Sequence, residues 1–243
     1  MKCRRMVQRG DASAPRGPTV TDRRLLLFGS GTFAIPSFVA MAAANGFDIV
    51  AVITTAPHRA GRTGLLRRTP VALWAEGAHL PLLEVERIRD SAVVARIAAL
   101  NADIGLLADF GQIVPSALLS APRHGILNLH PSLLPRHRGA SPIPAAILAG
   151  DTATGVSTIA MDAGLDTGAL VRVDRVELSG DERAPVLEER LAHLAAEGIE
   201  ETLRGWAEGR IAAKPQGSVG ASHAPRLRRL DGRIGASTTA RSA

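Results

Sequence analysis

With 243 residues, 46% of them hydrophobic, the chain can bury one sizeable core, either as a large domain or as a medium one with appendages. No apolar run reaches the roughly 18 residues needed to span a bilayer, and the basic start Met1 to Arg9 leads into no apolar signal core, which argues against membrane and secretory classes. The net charge of +6 sits in the ends, with +5 over residues 1–24 and +4 over 217–243, leaving −3 between them; bulk basicity therefore does not argue for nucleic-acid binding, and only local basic clusters can.

Residues 1–22 are polar, rich in Gly, Pro and Arg, and lack apolar periodicity, so they read as a disordered basic extension or an upstream start. Its one cysteine, Cys3, leaves the folded body without a disulfide framework or thiol nucleophile and suits a reducing cytoplasm. From Leu25 the run LLLFGSG predicts a strand and turn, and FAIPSFVAMAAANG a helix ending at Asn45-Gly46. FDIVAVITT is a second strand. The pattern continues with a helix near Pro70 to Ala78, a strand near Leu80 to Leu83, a helix over Ser91 to Leu100 and a strand over Ile104 to Phe110. A short helix after Pro115, a strand over Gly125 to Leu129, a helix from Pro142 to Gly150 and a strand near Val156 to Met161 follow. LVRVDRVEL alternates apolar and polar residues, as an edge or antiparallel strand does. Leu187, Leu191, Leu194, Ile199, Leu203 and Trp206 fall near helical spacing and predict one long helix stopped at Gly209. The expected fold is a single α/β domain over 23–215, Rossmann-like, with a mostly parallel twisted sheet and helices on both faces. Residues 216–243 read as a linker remnant and disordered tail.

Gly29, Gly31 and Ala34 form G-x-G-x-x-A after the first strand, where a dinucleotide fingerprint would lie. The second strand ends in Thr54-Thr55, without the acidic residue that holds ribose hydroxyls, so a tight strand-to-helix turn is the better reading. More informative is GILNLHPSLLPRHRGASP, residues 125–142. It sets Asn128 and His130 two apart at a strand end, projecting from one face where α/β sheets carry their sites. Gly164-Leu165-Asp166-Thr167-Gly168 offers a carboxylate in a tight turn after another strand. Taken singly, the His can pack locally, Asn128 can satisfy a turn and Asp166 can form an Asx-turn. The seven histidines are scattered, without metal-ligand spacing, and no metal is expected.

Together, NLHPSLLPRHRGASP and MDAGLDTG resemble the paired signatures of the formyltransferases that use formyl-tetrahydrofolate. GSGTFA, AGR, ADFGQIVP and AGDTATGVS follow the same family's order, so the resemblance covers roughly Leu25 to Pro215. It implies Asn128, His130 and Asp166 as the catalytic triad, His130 as general base, Asn128 as oxyanion donor and Asp166 as support for the imidazolium. It also implies 10-formyltetrahydrofolate as the formyl donor, held by Ser132, Leu133, Leu134 and Pro135 and by the pterin-lining Phe110, Gln112 and Ile113. Asp109 and Phe110 stand where many members have Ala and Tyr. Within the family the pattern is most similar to members that formylate methionyl-initiator tRNA. Arg59, Arg62, Arg67 and Arg68, in a loop free of acidic residues, match the loop that enters the acceptor arm, and Arg forks suit phosphate. The resemblance further implies a monomer acting in the cytoplasm and a second, β-barrel domain; SHAPRLRRLDGRI resembles the entry to that domain and GASTTARSA reads as a terminal scrap. Two other readings stay open: a formyltransferase for a small amine, such as an amino-sugar nucleotide, and a folded remnant without turnover.

Overall fold

A computed structural model of the chain describes residues 22–60, 64–228 and 231. The basic extension up to residue 21 and the stretch from 232 lie outside them. β1 (Arg23–Gly29) leads through a 3-10 turn (Thr32–Ala34) into α1 (Ile35–Ala43), and β2 (Phe47–Thr55) follows. A hairpin of β3 (His58–Ala60) and β4 (Leu65–Arg67) precedes α2 (Pro70–Gly77), β5 (Leu82–Val85) and α3 (Ser91–Ala98). β6 (Ile104–Ala108), α4 (Ser116–Leu119), β7 (Ile126–His130) and α5 (Pro142–Leu148) come next. The last elements are β8 (Ala153–Ala160), β9 (Ala169–Glu177), α6 (Ala184–Ala196) and α7 (Ile199–Ala207).

Seven strands form one sheet in the order β5-β2-β1-β6-β7-β8-β9. The first five are parallel, whereas β8 runs antiparallel to both β7 and β9. In β1, Leu25 and Leu27 join the core beneath α1, α5, α6 and α7, while Leu26 and Phe28 join the opposite core with Ile97 of α3 and Leu118 of α4. A strand covered on both faces needs a continuous apolar run, and LLLF supplies it. Chain order reverses between β1 and β6, so the crevice at their carboxyl ends is where such a sheet receives ligands. The alternating strand β9 is an edge strand, antiparallel as its pattern implies, with residues from 172 to 177 exposed or half-buried in turn. No helix among the described residues is long and apolar enough to cross a membrane.

Three expectations are corrected. The long helix over 187–206 is two helices, because Glu197 turns extended and Gly198 takes a left-handed φ of 67°. Periodicity survives the break since Leu187, Leu191, Ile199 and Leu203 all reach the same core; Arg172 donates to the Glu197 carbonyl that the break frees. The segment 56–69, read as loop, contains the β3–β4 hairpin, whose residue pairs run from His58 opposite Arg67 to Ala60 opposite Leu65. Finally, the part of the expected tail from 216 to 224 is docked. Gln216 and Ser222 bond to the domain and Ala224 is buried, while Lys214 just before them pairs with Leu170. Low apolar content misled here because the segment is held by hydrogen bonds rather than by a core of its own.

Candidate active site

β7 places the central groups. Ile126, Asn128 and His130 share one face of the strand by its period of two, and the last two stand at its carboxyl end, buried. Asp166 reaches them from the β8–β9 turn, in a left-handed conformation with φ 51°. That turn is tight: a Cβ on Gly164 would lie 2.0 Å from the Thr167 hydroxyl, and one on Gly168 2.0 Å from the Ala160 carbonyl. Asp162 gathers it by accepting from the Gly164 N–H at 3.0 Å and the Thr167 hydroxyl at 2.7 Å. Asn128 Nδ2 then donates to Asp166 Oδ1 at 3.4 Å, the Gly139 N–H donates to Oδ2 at 2.8 Å, and Oδ2 lies 3.7 Å from His130 Nδ1.

His130 is oriented from its other side. Its Nε2 lies 2.9 Å from the His137 carbonyl, and because a carbonyl can only accept, the neutral ring carries its proton on Nε2 and a lone pair on Nδ1. Burial lowers the His130 pKa below its usual 6.5, against the opposing pull of Asp166 and of the hydrogen bond to His137. His137 is itself fixed, with Nε2 2.7 Å from Asp151 Oδ2 and its N–H donating to Ser222 Oγ at 2.9 Å. Sequence reading missed His137, Asp151 and Ser222. His137 lies inside the signature run, which was the one signal that could have found it, whereas Asp151 and Ser222 arrive from other elements.

Asn128, His130 and Asp166 open onto a cavity of about 730 Å³, within the range of small-molecule sites. Phe110, Gln112 and Ile113 line it too, by unequal means. Phe110 is buried and packs edge-on against Phe28 with ring centroids 5.9 Å apart; Ile113 is 85% exposed at the rim. Gln112 accepts from the Ile88 N–H at 2.8 Å and donates to the Val85 carbonyl at 3.4 Å, which fixes the loop rather than leaving its carboxamide free. Asp109 stands in the same wall, where burial first and Glu188 second raise its pKa. Its carboxylate lies where a Cβ on Gly31 would be, 1.6 Å away, so Gly31 admits an acidic side chain that would repel a pyrophosphate.

None of the four residues of the Ser132–Pro135 run lines this cavity. The chain turns beneath the site instead: Ser132 Oγ donates to the Arg136 carbonyl at 2.7 Å, the Leu134 N–H donates to Ser157 Oγ at 3.0 Å, and Leu134 is buried. The run supports the loop that carries His137. Arg68 is engaged within the protein. Its guanidinium forks onto Glu84 at 2.9 and 3.2 Å and reaches Glu76 at 2.9 Å, carboxylates from β5 and α2 that no reading of the loop alone could supply. Arg59 and Arg67 lie exposed on the hairpin, with Arg59 donating to the Gly64 carbonyl at 3.0 Å. Arg62 lies outside the described residues.

The sequence profile described as Formyl transferase matches residues 23–203. The chain is 41% identical over 211 residues to a methionyl-tRNA formyltransferase of Sorangium cellulosum, covering 87% of this chain and 67% of that one. It is 43% identical over 212 residues to one of Gluconobacter oxydans, covering 87% and 68%. Among solved structures it is similar to a glycinamide ribonucleotide transformylase of Symbiobacterium toebii, with TM-score 0.66, 21% identity, and coverage of 84% of this chain and 99% of that one. An N-formyltransferase of Helicobacter canadensis, in complex with folinic acid and dTDP-3-aminofucose, superposes with TM-score 0.66 at 17% identity, covering 91% and 77%.

Proposed function

The chain belongs to the formyl transferase family, and from that premise we propose that it moves a formyl group from 10-formyltetrahydrofolate to the amino group of methionyl-initiator tRNA. The observation that carries this reading is the convergence of Asn128, His130 and Asp166 on one cavity at the carboxyl edge of the sheet. As the amine nitrogen bonds to the formyl carbon, the carbonyl π pair moves onto oxygen, and Asn128 Nδ2, which has a second hydrogen beyond the one facing Asp166, donates to it. His130 Nδ1 takes the proton the nitrogen releases, and Asp166 stabilises the resulting imidazolium. When the oxygen pair re-forms the carbonyl, the bond to the folate nitrogen breaks and His130 returns the proton to that leaving nitrogen.

A flat pterin suits the apolar wall made by Phe110, Leu129 and Ile113. The acceptor arm suits the β3–β4 hairpin, which presents Arg59 and Arg67 beside exposed Leu65 and Leu66. Incubation with formyl-tetrahydrofolate and charged initiator tRNA tests the reading, with formylmethionine on the tRNA as the readout. Transfer that disappears in His130→Ala is expected; transfer only to an amino-sugar nucleotide, or none with folate bound, would overturn the choice of acceptor or of an active enzyme.

A further inference from the structure

Residues 214–224 lie across both loops that hold the acid–base groups. Lys214 pairs with Leu170 through two backbone hydrogen bonds, of 2.8 and 2.7 Å, which anchors the segment beside the start of β9. Two residues on, Gln216 Nε2 donates to the carbonyls of Asp166 at 2.8 Å and Gly168 at 2.7 Å, while its Oε1 accepts from Arg138 Nε at 3.1 Å and Nη2 at 2.7 Å. A carboxamide has two donor hydrogens and one oxygen with two lone pairs, so all of its capacity is engaged. Further along, Ser222 accepts from the His137 N–H, the Arg138 N–H donates to the Ser222 carbonyl at 2.9 Å, and Ala224 closes the bridge to Arg138. Gln216 therefore ties the Asp166 turn to the loop whose His137 carbonyl orients His130.

We propose that Gln216 is a positioning residue: its carboxamide holds Asp166 in its left-handed turn at the 3.7 Å separation from His130, so that the segment 214–224 is a working part of the active site. Asp is among the few non-glycine residues that enter that backbone region readily, and Gln216 supplies two bonds that hold this turn in it. The proposal rests on the reading of His130 and Asp166 as the acid–base pair, and its test is independent of turnover. The groups facing His130 are Asp166 and His137, the latter paired with Asp151; Asp109, Glu188, His223 and Arg226 line the same cavity.

Histidine-labelled full-length chain would be titrated by NMR, with the His130 signal assigned by its loss in His130→Gln. Asp166→Asn is expected to lower the His130 midpoint by about one pH unit in the otherwise native chain. The same change should have much less effect in a Gln216→Leu background, because the carboxylate is no longer held against the ring. Gln216→Glu, which keeps the acceptor for Arg138 but sets a carboxylate against two carbonyls, should behave likewise and serves if the leucine variant does not fold. Lys214→Ala, whose native contacts to Leu170 are through the backbone, should leave the coupling intact. An Asp166→Asn effect equal in native and Gln216 backgrounds overturns the proposal. Intact coupling that depends on Gln216, in a chain that transfers no formyl group, would instead count against the proposed activity alone.

Discussion

His130 has one nitrogen bound to a carbonyl and the other turned to a carboxylate beyond hydrogen-bonding distance, while Asn128 points its amide at the same carboxylate. Asn128 is thus pre-aimed by Asp166 without being saturated by it. Asn128→Ala should lower kcat by about 10² to 10³, the usual loss for an oxyanion donor, with little change in KM for the folate; steady-state kinetics at fixed tRNA would check this. Asp109 presents the opposite case, a carboxyl whose charged form is disfavoured by burial and by Glu188. Since its folded pKa is raised, the folded state holds the proton more tightly than the unfolded state, and the ionised group destabilises the fold as pH rises. Asp109→Asn should raise Tm at pH 7, and the advantage should shrink as pH falls toward 3.8; thermal melts across pH decide it. Asn also tolerates the φ of 46° found there.

Among the elements, the α6–α7 break and the hairpin carry the clearest consequences. Gly198 at φ 67° re-aims the chain so that α6 packs on α1 and α7 reaches both α1 and β9. A Cβ there would be strained and would approach Arg172 Nη1 at 2.8 Å. Gly198→Ala should therefore cost about 1 to 2 kcal/mol, read by urea denaturation. On the hairpin, adjacent arginines differ in role. Arg67 is exposed on β4, whereas Arg68 is forked onto Glu84. Arg67→Ala should weaken tRNA binding and reduce the slope of log Kd against log salt by about one, and Arg68→Ala should change the slope little. Filter binding over a salt series separates the two.

For the whole molecule, a buried neutral histidine links the site to stability. His130 binds its proton near 6.5 when unfolded and less readily when folded, so the unfolded state takes up more protons as pH falls. The stability it contributes is complete above 6.5 and is lost as pH drops toward and through the folded value. His130→Gln should accordingly show a shallower fall in unfolding free energy between pH 7 and 5 than the native chain, measured by urea titration at each pH. The same burial that makes Nδ1 a free base at neutral pH thus makes the fold sensitive to acid.

Local pattern determined much of this. Continuous apolar runs such as LLLF follow from both faces of a strand being covered, and that burial is visible in one segment. The two-residue spacing of Asn128 and His130 made their shared face legible, because side chains alternate along a strand. What sequence could not decide involves partners far away in the chain. Arg68 reads as a free cation until Glu84 and Glu76 arrive, the Ser132–Pro135 run reads as ligand-facing until it is seen turned onto Ser157, and Gln216 reads as tail until it meets Asp166 fifty positions earlier. Charge pairing and hydrogen bonding depend on distance in space, and residues so separated in sequence meet only through the tertiary fold.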